Sequence, residues 1–152
     1  MVSEGMSEII HAAIRGEKFS VIFVNNAIYG MTGGQMAPTT LEGQITSTTP
    51  YGKTVEQAGA PVNMAELISN IQGCIYSERV AVNSPRNIFA AKKAIQKALE
   101  LQKEGKGMSF VEILSPCPTG WGLKPLKAIE FIDDNMIPIY PLGVFKDTEV
   151  DK

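Results

Sequence analysis

Apolar residues recur along this chain at two periods. From Ser3 to Arg15, Met6, Ile9, Ile10, Ala13 and Ile14 fall three and four positions apart, which places them on one face of a helix. Gly16 is the expected stop. Phe19–Val24, FSVIFV, is a short continuous apolar run rich in β-branched residues, the pattern of a buried parallel strand. Asn63 and Glu66 are spaced as an N-cap and its partner, opening a helix with Met64, Leu67, Ile68 and Ile71 inward and Gly73 at its end. Tyr76–Val82 reads as a second strand. Ser84-Pro85 starts a helix with proline at the first position; its stripe is Ile88, Ala91, Ile95, Ala98 and Leu99, and Gly105 is its stop. Met108–Leu114, MSFVEIL, is a third strand. Pro125 opens a helix on Leu126, Ile129, Ile132 and Met136, and IPIYPLGVF follows as an irregular or extended tail.

Helices and strands therefore alternate, the grammar of an α/β domain with a parallel sheet. Right-handed crossovers place helices on both faces. The length, 152 residues, suits a single domain spanning 1–152. Residues 25–62 break the alternation: they have no period and are dense in Gly, Thr and Pro. A structureless stretch of that length in a compact domain is usually functional. Ligands of such sheets bind beyond the carboxyl ends of the strands. Two unusual loops leave strand ends, VNNAIYGMTGGQMAPTT after the first strand and SPCPTGWGLKP after the third, and they are expected to share one site.

Composition narrows the field without choosing within it. A net charge of −2 and a pI near 5.5 argue against a nucleic-acid surface, which needs a Lys/Arg excess. No apolar run approaches the roughly 20 residues of a membrane span. Residues 1–20 read as a mixed amphipathic segment and not as a secretory leader. Two cysteines, Cys74 and Cys117, make no disulfide framework, so a cytoplasmic location is expected.

The first loop suggests chemistry. Asn26 offers a neutral oxygen, and irregular backbone offers free carbonyls; oxygen ligands suit Mg²⁺, which commonly also takes substrate phosphates. Gly30, Gly33 and Gly34 let backbone N–H groups approach an anion, and Thr32, Thr39 and Thr40 add hydroxyl donors. A Mg²⁺–phosphate site built mainly from backbone is one reading. A glycine-rich surface loop, with Asn25 and Asn26 in a turn, is the other.

The longer motifs bear on that choice. NNAIYGMTGGQMAPTT after an apolar strand resembles the end of the thiamine-diphosphate motif in the β subunit of 2-oxoacid:ferredoxin oxidoreductases, and SPCPTGW resembles a second signature of that subunit. The resemblance runs from Val2 to about Phe145. It implies a thiamine-diphosphate-binding fold with Asn26 as side-chain ligand and the Ile28 carbonyl as backbone ligand of Mg²⁺. Asn25 would also bind the cofactor, and the backbone of Gly30, Met31 and Thr32 and the Thr32 hydroxyl would hold its diphosphate. Tyr29 would lean on the cofactor or simply pack. Cys117 would be one ligand of a [4Fe–4S] cluster in the complete subunit. The activity implied is oxidative decarboxylation of a 2-oxoacid with coenzyme A as acyl acceptor and ferredoxin as electron acceptor, in a complex with α- and γ-type subunits. No catalytic residue is assigned to this chain, because the glutamate that activates the cofactor belongs, by resemblance, to a partner. TGWG, with Trp121 shaping the pocket, leans toward the branched-chain members. Met31 and Met36 either line the substrate side or pack.

The family's Gly-Asp-Gly, source of an acidic Mg²⁺ ligand, and its Cys-x-x-Cys do not occur in these 152 residues. Counting back from Asn26 places the first just before Met1, so the chain is expected to be the C-terminal part of the domain, from a split or truncated gene, and inactive alone. Two alternatives stay open: another thiamine-diphosphate decarboxylase or synthase, and a non-catalytic module binding a phosphate ligand or a partner. His11 is expected to be structural or on the surface, Cys74 to be a small buried hydrophobe, and Lys92, Lys93 and Lys97 to form a solvated helix face.

Overall fold

A computed structural model describes residues 2–149. The elements in chain order are α1 (Met6–Arg15), β1 (Ser20–Asn25), α2 (Val55–Ala58), α3 (Met64–Ser69), β2 (Cys74–Ala81), α4 (Pro85–Lys103), β3 (Met108–Leu114), α5 (Pro118–Trp121), α6 (Pro125–Phe131) and β4 (Gly143–Asp147). A single π-helical turn, Ile132–Met136, continues α6. The sheet order is β1-β3-β2-β4. β3 lies parallel to both β1 and β2. Among the described residues it is the only strand buried along its whole length, as a central parallel strand requires.

Helices cover both faces, as the alternation predicts. On one face, Met6, Ile9, Ile10 and Ala13 of α1 and Met64, Ala65 and Ile68 of α3 pack on Val21, Phe23 and Phe110. On the other, Ala91, Ala94, Ala98 and Leu101 of α4 pack on Tyr76, Val80, Val111 and Ile113. Ile132, Met136 and Tyr140 close the strand ends over Ala27, Leu41, Ala81 and Leu114.

Several expectations are corrected. The end of the tail takes the extended alternative, and what it adds to the expected sheet is direction: Gly143–Asp147 pairs antiparallel with β2, so the sheet is parallel but for this edge. β1 is an edge strand and not a wholly buried one, with Ile22 and Val24 exposed. Asn63 and Glu66 form no capping box. Asn63 Oδ1 accepts from Arg79 Nη2 at 3.1 Å, and Glu66 faces the same guanidinium, so a buried charge takes both side chains from the helix end. That helix stops at Ser69 and not at Gly73. Gly73 is glycine for another reason: a Cβ there would lie 2.0 Å from the carbonyl oxygen of Ala13, at the end of α1. On α4 the packed stripe is made of Ala91, Ala94, Ala98 and Leu101, while Ile88 and Leu99 are exposed. Lys97 is not simply solvated; it pairs with Asp147 and lies over the Tyr76 ring. Ser84 caps α4 through the Asn87 N–H as expected. Cys74 is fully buried and His11 is exposed.

The stretch from 26 to 62 is ordered by side-chain bonds to backbone more than by repetitive structure. Thr40 Oγ1 donates to the Ala27 carbonyl at 2.7 Å, and Tyr140 Oη donates to the Thr39 carbonyl at 2.7 Å. Lys53, buried, donates through Nζ to the Thr40 carbonyl at 2.8 Å.

Candidate functional site

The candidate site begins where β1 ends. Asn25 is the last strand residue, and its side chain is buried. Its Nδ2 donates to Glu112 Oε1 at 2.7 Å, and its Oδ1 accepts from the Ala27 N–H at 3.0 Å. Ala27 sits at φ 54°, a left-handed conformation that costs a non-glycine residue on the order of 1 kcal/mol. Bonds at both of its peptide groups hold it there, from Asn25 on one side and Thr40 on the other. This strained residue throws the chain sharply away from the strand. Asn26 is half-buried and lines a cleft beside the bend, with Oδ1 at 3.4 Å from the Ile28 N–H.

Beyond the bend the loop folds back on itself, with Tyr29 N–H donating to the Gln35 carbonyl at 2.9 Å and Gly34 N–H to the Tyr29 carbonyl at 2.9 Å. Among the described residues, the N–H groups of Gly30, Met31 and Thr32 have no protein acceptor, and the Ile28 carbonyl has no protein donor. Met31 is fully exposed and Tyr29 is 39% exposed. The Tyr29 hydroxyl is bonded to Ser3. The Thr32 hydroxyl is engaged by Gln35 Oε1 at 2.6 Å.

The two motif loops do meet. β1 and β3 are adjacent and parallel, so their carboxyl ends lie side by side; the Ser115 N–H donates to the Asn25 carbonyl at 3.0 Å. Trp121, on the one-turn helix α5, donates through Nε1 to the Asn26 carbonyl at 3.0 Å. Its ring stacks at a tilt on Phe131, centroids 4.6 Å apart. Cys117 Sγ lies against Gly30 and Gly120: a Cβ on either would come within 2.7 Å of the sulfur. Glycine at position 30 is thus set by the close approach of the second loop. Both cysteines are free thiols. No group of three or more His, Cys, Asp or Glu side chains placed to hold a metal occurs among the described residues.

A cleft of about 120 Å³ opens beside the bend, lined by Val24, Asn26, Ile28, Tyr29 and the Ala37–Thr39 segment. A second hollow, about 260 Å³ and largely apolar, is lined by Gln44, Ile45, Trp121, Leu123 and Phe131. Burial holds the Lys53 ammonium below its usual range. It also pushes the Cys74 thiol up to about 11, so that thiol is inert at neutral pH.

Sequence reasoning missed the support beneath the bend. Glu112 and Arg79 are fully buried, with Arg79 Nε donating to Glu112 Oε2 at 2.8 Å. Arg79 also donates to Asn63 and to the Pro141 carbonyl and lies against the Tyr140 and Phe145 rings. A signal for them exists: one carboxylate inside MSFVEIL and one guanidinium inside CIYSERVA are costly unless paired.

Known proteins resemble this chain in sequence and in fold. Residues 1–113 match the family described as thiamine pyrophosphate enzyme, C-terminal TPP binding domain. The ketoisovalerate oxidoreductase subunit VorA of Methanothermobacter thermautotrophicus is 48% identical over 147 residues, which are 97% of this chain and 31% of that protein. The 2-oxoglutarate synthase subunit KorB of Archaeoglobus fulgidus is 38% identical over 134 residues, 88% of this chain and 46% of that protein. A 2-oxoglutarate:ferredoxin oxidoreductase from Magnetococcus marinus, solved with 2-oxoglutarate, coenzyme A and succinyl-CoA bound, has the same fold. Its TM-score is 0.71 at 22% identity, over 96% of this chain and 53% of that one. The chain thus spans only part of the length of these relatives, from 31% to 53%. The family match covers α1, the long loop and all three parallel strands, and so the chain belongs to the thiamine pyrophosphate enzymes, in their C-terminal cofactor-binding domain.

Proposed function

We propose that this chain forms the diphosphate- and Mg²⁺-holding part of a 2-oxoacid:ferredoxin oxidoreductase, an enzyme that oxidatively decarboxylates a 2-oxoacid and passes the acyl group to coenzyme A and electrons to ferredoxin. The observation that carries this reading is the unbonded polar set on the Asn26–Thr32 loop. Three consecutive N–H groups and one carbonyl lack protein partners at a strand carboxyl end. That donor set fits the group: the N–H groups of Gly30, Met31 and Thr32 suit diphosphate oxygens, while Asn26 Oδ1 and the Ile28 carbonyl suit Mg²⁺. The names of the relatives favour this reading over a different thiamine-diphosphate decarboxylase and over a non-catalytic module.

When bound, thiamine diphosphate supplies the electron sink for decarboxylation. The chain's own part is to bind and orient. Asn26 and Ile28 fix the metal, and the glycine loop fixes the diphosphate. Trp121 restrains the Asn26 carbonyl from the opposite loop. Cofactor sites run to roughly 300–1,000 Å³, so a cleft of about 120 Å³ takes one end of such a molecule. The other end, the acidic Mg²⁺ ligand and the activating carboxylate are contributed by other parts of the assembly, among them α- and γ-type subunits. Cys117 is one ligand of a [4Fe–4S] cluster whose other thiolates come from outside residues 1–152, since clusters need several thiolates. The enzyme is cytoplasmic. No helix among the described residues is long and apolar enough to cross a membrane.

The test is thiamine diphosphate titration, with Mg²⁺, into the assembled oxidoreductase. Asn26→Ala should weaken cofactor binding by about tenfold or more, the worth of one good charge-assisted contact, while the melting temperature without cofactor stays unchanged. Unaltered affinity in Asn26→Ala would remove Asn26 from the ligand set. An assembly that binds no thiamine diphosphate at all would remove the reading itself. The purified 152-residue chain should show no 2-oxoacid decarboxylation by itself.

A further inference from the structure

We infer that Glu112 is a positioning residue for the cofactor loop, acting through the first asparagine, Asn25, to set the bend that presents the second, Asn26. A carboxylate accepts hydrogen bonds and donates none. Glu112 Oε2 is taken by Arg79 Nε at 2.8 Å and by the Ala65 N–H at 3.3 Å, which leaves Oε1 for Asn25. Only the amide NH₂ of Asn25 can answer it. The Asn25 carbonyl oxygen is thereby turned the other way, where it accepts from the Ala27 N–H. One buried charge therefore fixes the orientation of an amide, and that amide holds the one described non-glycine residue at positive φ. Every member of the chain is shut from solvent: Arg79, Glu112 and Ala27 are 0% exposed and Asn25 is 1% exposed. Bulk water cannot substitute for a bond lost there. The orientation is imposed from β2 and β3, across the sheet from the loop it controls.

That the bend carries cofactor ligands rests on the proposed function. The orientation itself does not, and a swap of polarity tests it. In Glu112→Gln the new amide keeps its oxygen toward Arg79 and Ala65 and presents NH₂ to the NH₂ of Asn25. Asn25 must then flip and lose Ala27. In Asn25→Asp two carboxylates face each other in a buried layer. In the double variant Asn25→Asp/Glu112→Gln, the amide now on β3 donates its NH₂ to the carboxylate now at the end of β1. The other oxygen of that carboxylate accepts from Ala27, so the bond pattern returns. The Arg79 ion pair does not return, which separates loop positioning from a merely structural charge pair.

The readouts on the 152-residue chain without cofactor are amide exchange at Ala27 and emission of Trp121, the single tryptophan, whose indole N–H is bonded to the Asn26 carbonyl. Glu112→Gln should lose about tenfold or more of Ala27 protection, as expected for an unsatisfied buried group, with altered Trp121 emission; Asn25→Asp, whose carboxylate still has an oxygen for Ala27, should instead lose stability through the two facing charges. The double variant should recover both protection and emission. Ile68→Val, a destabilising change in the α1–α3 core, should move neither. Should Glu112→Gln fail to fold, recovery of folding in the double variant serves as the same test. In the assembled enzyme, thiamine diphosphate affinity should fall in Glu112→Gln and return in the double variant. Ala27 protection and Trp121 emission unchanged in folded Glu112→Gln, or no recovery in the double variant, would overturn the inference. So would full cofactor affinity in a variant whose Ala27 protection is lost. A wild-type assembly that binds no thiamine diphosphate would instead sink the proposed function, and the cofactor-free readouts would still decide the role of Glu112.

Discussion

The two cysteines differ in surroundings as much as in expected role. Cys74 lies in the core between α1 and α3, its sulfur bonded to the Tyr76 carbonyl, and burial raises its pKa to about 11. Cys117 lies on a loop between two prolines, partly exposed, with its sulfur pressed on Gly30. In cluster-free chain, a chromogenic thiol reagent at mildly alkaline pH should modify Cys117 readily and reach Cys74 only on unfolding, because the attacking species is an accessible thiolate. Rapid modification persisting in Cys117→Ser would contradict this assignment of the reactive thiol. The neighbouring asparagines illustrate the same point. Asn25 and Asn26 carry the same side chain, yet that of Asn25 is spent on holding the bend while Asn26 makes only a 3.4 Å contact with the Ile28 N–H.

At the scale of elements, close backbone approach decides more than propensity. α1 ends at Gly16, in the left-handed conformation, and its last turn rests directly on Gly73. An added methyl at 73 meets a carbonyl oxygen at 2.0 Å and the backbone of Gly16 at 2.7 Å, neither of which can move without undocking the helix. Gly73→Ala should cost about 3 kcal/mol or more, a melting-temperature drop of roughly 6–12 °C for a domain of this size. Gly43→Ala is the reference: it has a positive φ but open space around it, so only about 1 kcal/mol of backbone strain is expected. Thermal melts of the two variants that coincide would argue against the clash. α4 makes a different point. Its contact with the sheet is built mainly from Ala91, Ala94 and Ala98 together with Leu101, while Ile88, Phe89 and Leu99 are exposed.

For the whole molecule, burial moves three groups, Cys74, Tyr76 and Tyr140, the same way in pH. Burial raises Cys74 from 9.0 to about 11. It also raises Tyr76, reinforced by the bond to Glu78, and Tyr140. A group whose pKa is higher in the folded state favours folding while it is protonated. Below its ordinary value both states hold the proton and nothing changes. Above that value the unfolded chain ionises first and stability falls until the folded pKa is reached. For Cys74 the window runs from about 9 to about 11, and each group inside its window costs about 1.4 kcal/mol per pH unit. Denaturant midpoints should therefore decline above pH 9, and Cys74→Ala should flatten part of the slope. Midpoints that stay level across that window would refute it.

The amino-acid sequence by itself determined the alternation of elements, the three parallel strands within a residue or two, the long aperiodic loop and the placing of two motif loops at strand ends. Those follow from periodicity, turn residues and a motif, all of which are local. What it did not contain was partnership between distant positions. Asn63 and Glu66 have the spacing of a cap, but Arg79 from β2 claims both. Leu99 fits the helical stripe, but the sheet meets the helix mainly through alanines. The run GVF in the tail carries too few residues to declare a strand, and only the free edge of β2 makes it one. Glu112 is legible as an oddity in an apolar run. That it faces Asn25 depends on β1 and β3 lying side by side in a register pairing Phe23 with Glu112 and Asn25 with Leu114, which only the folded sheet supplies.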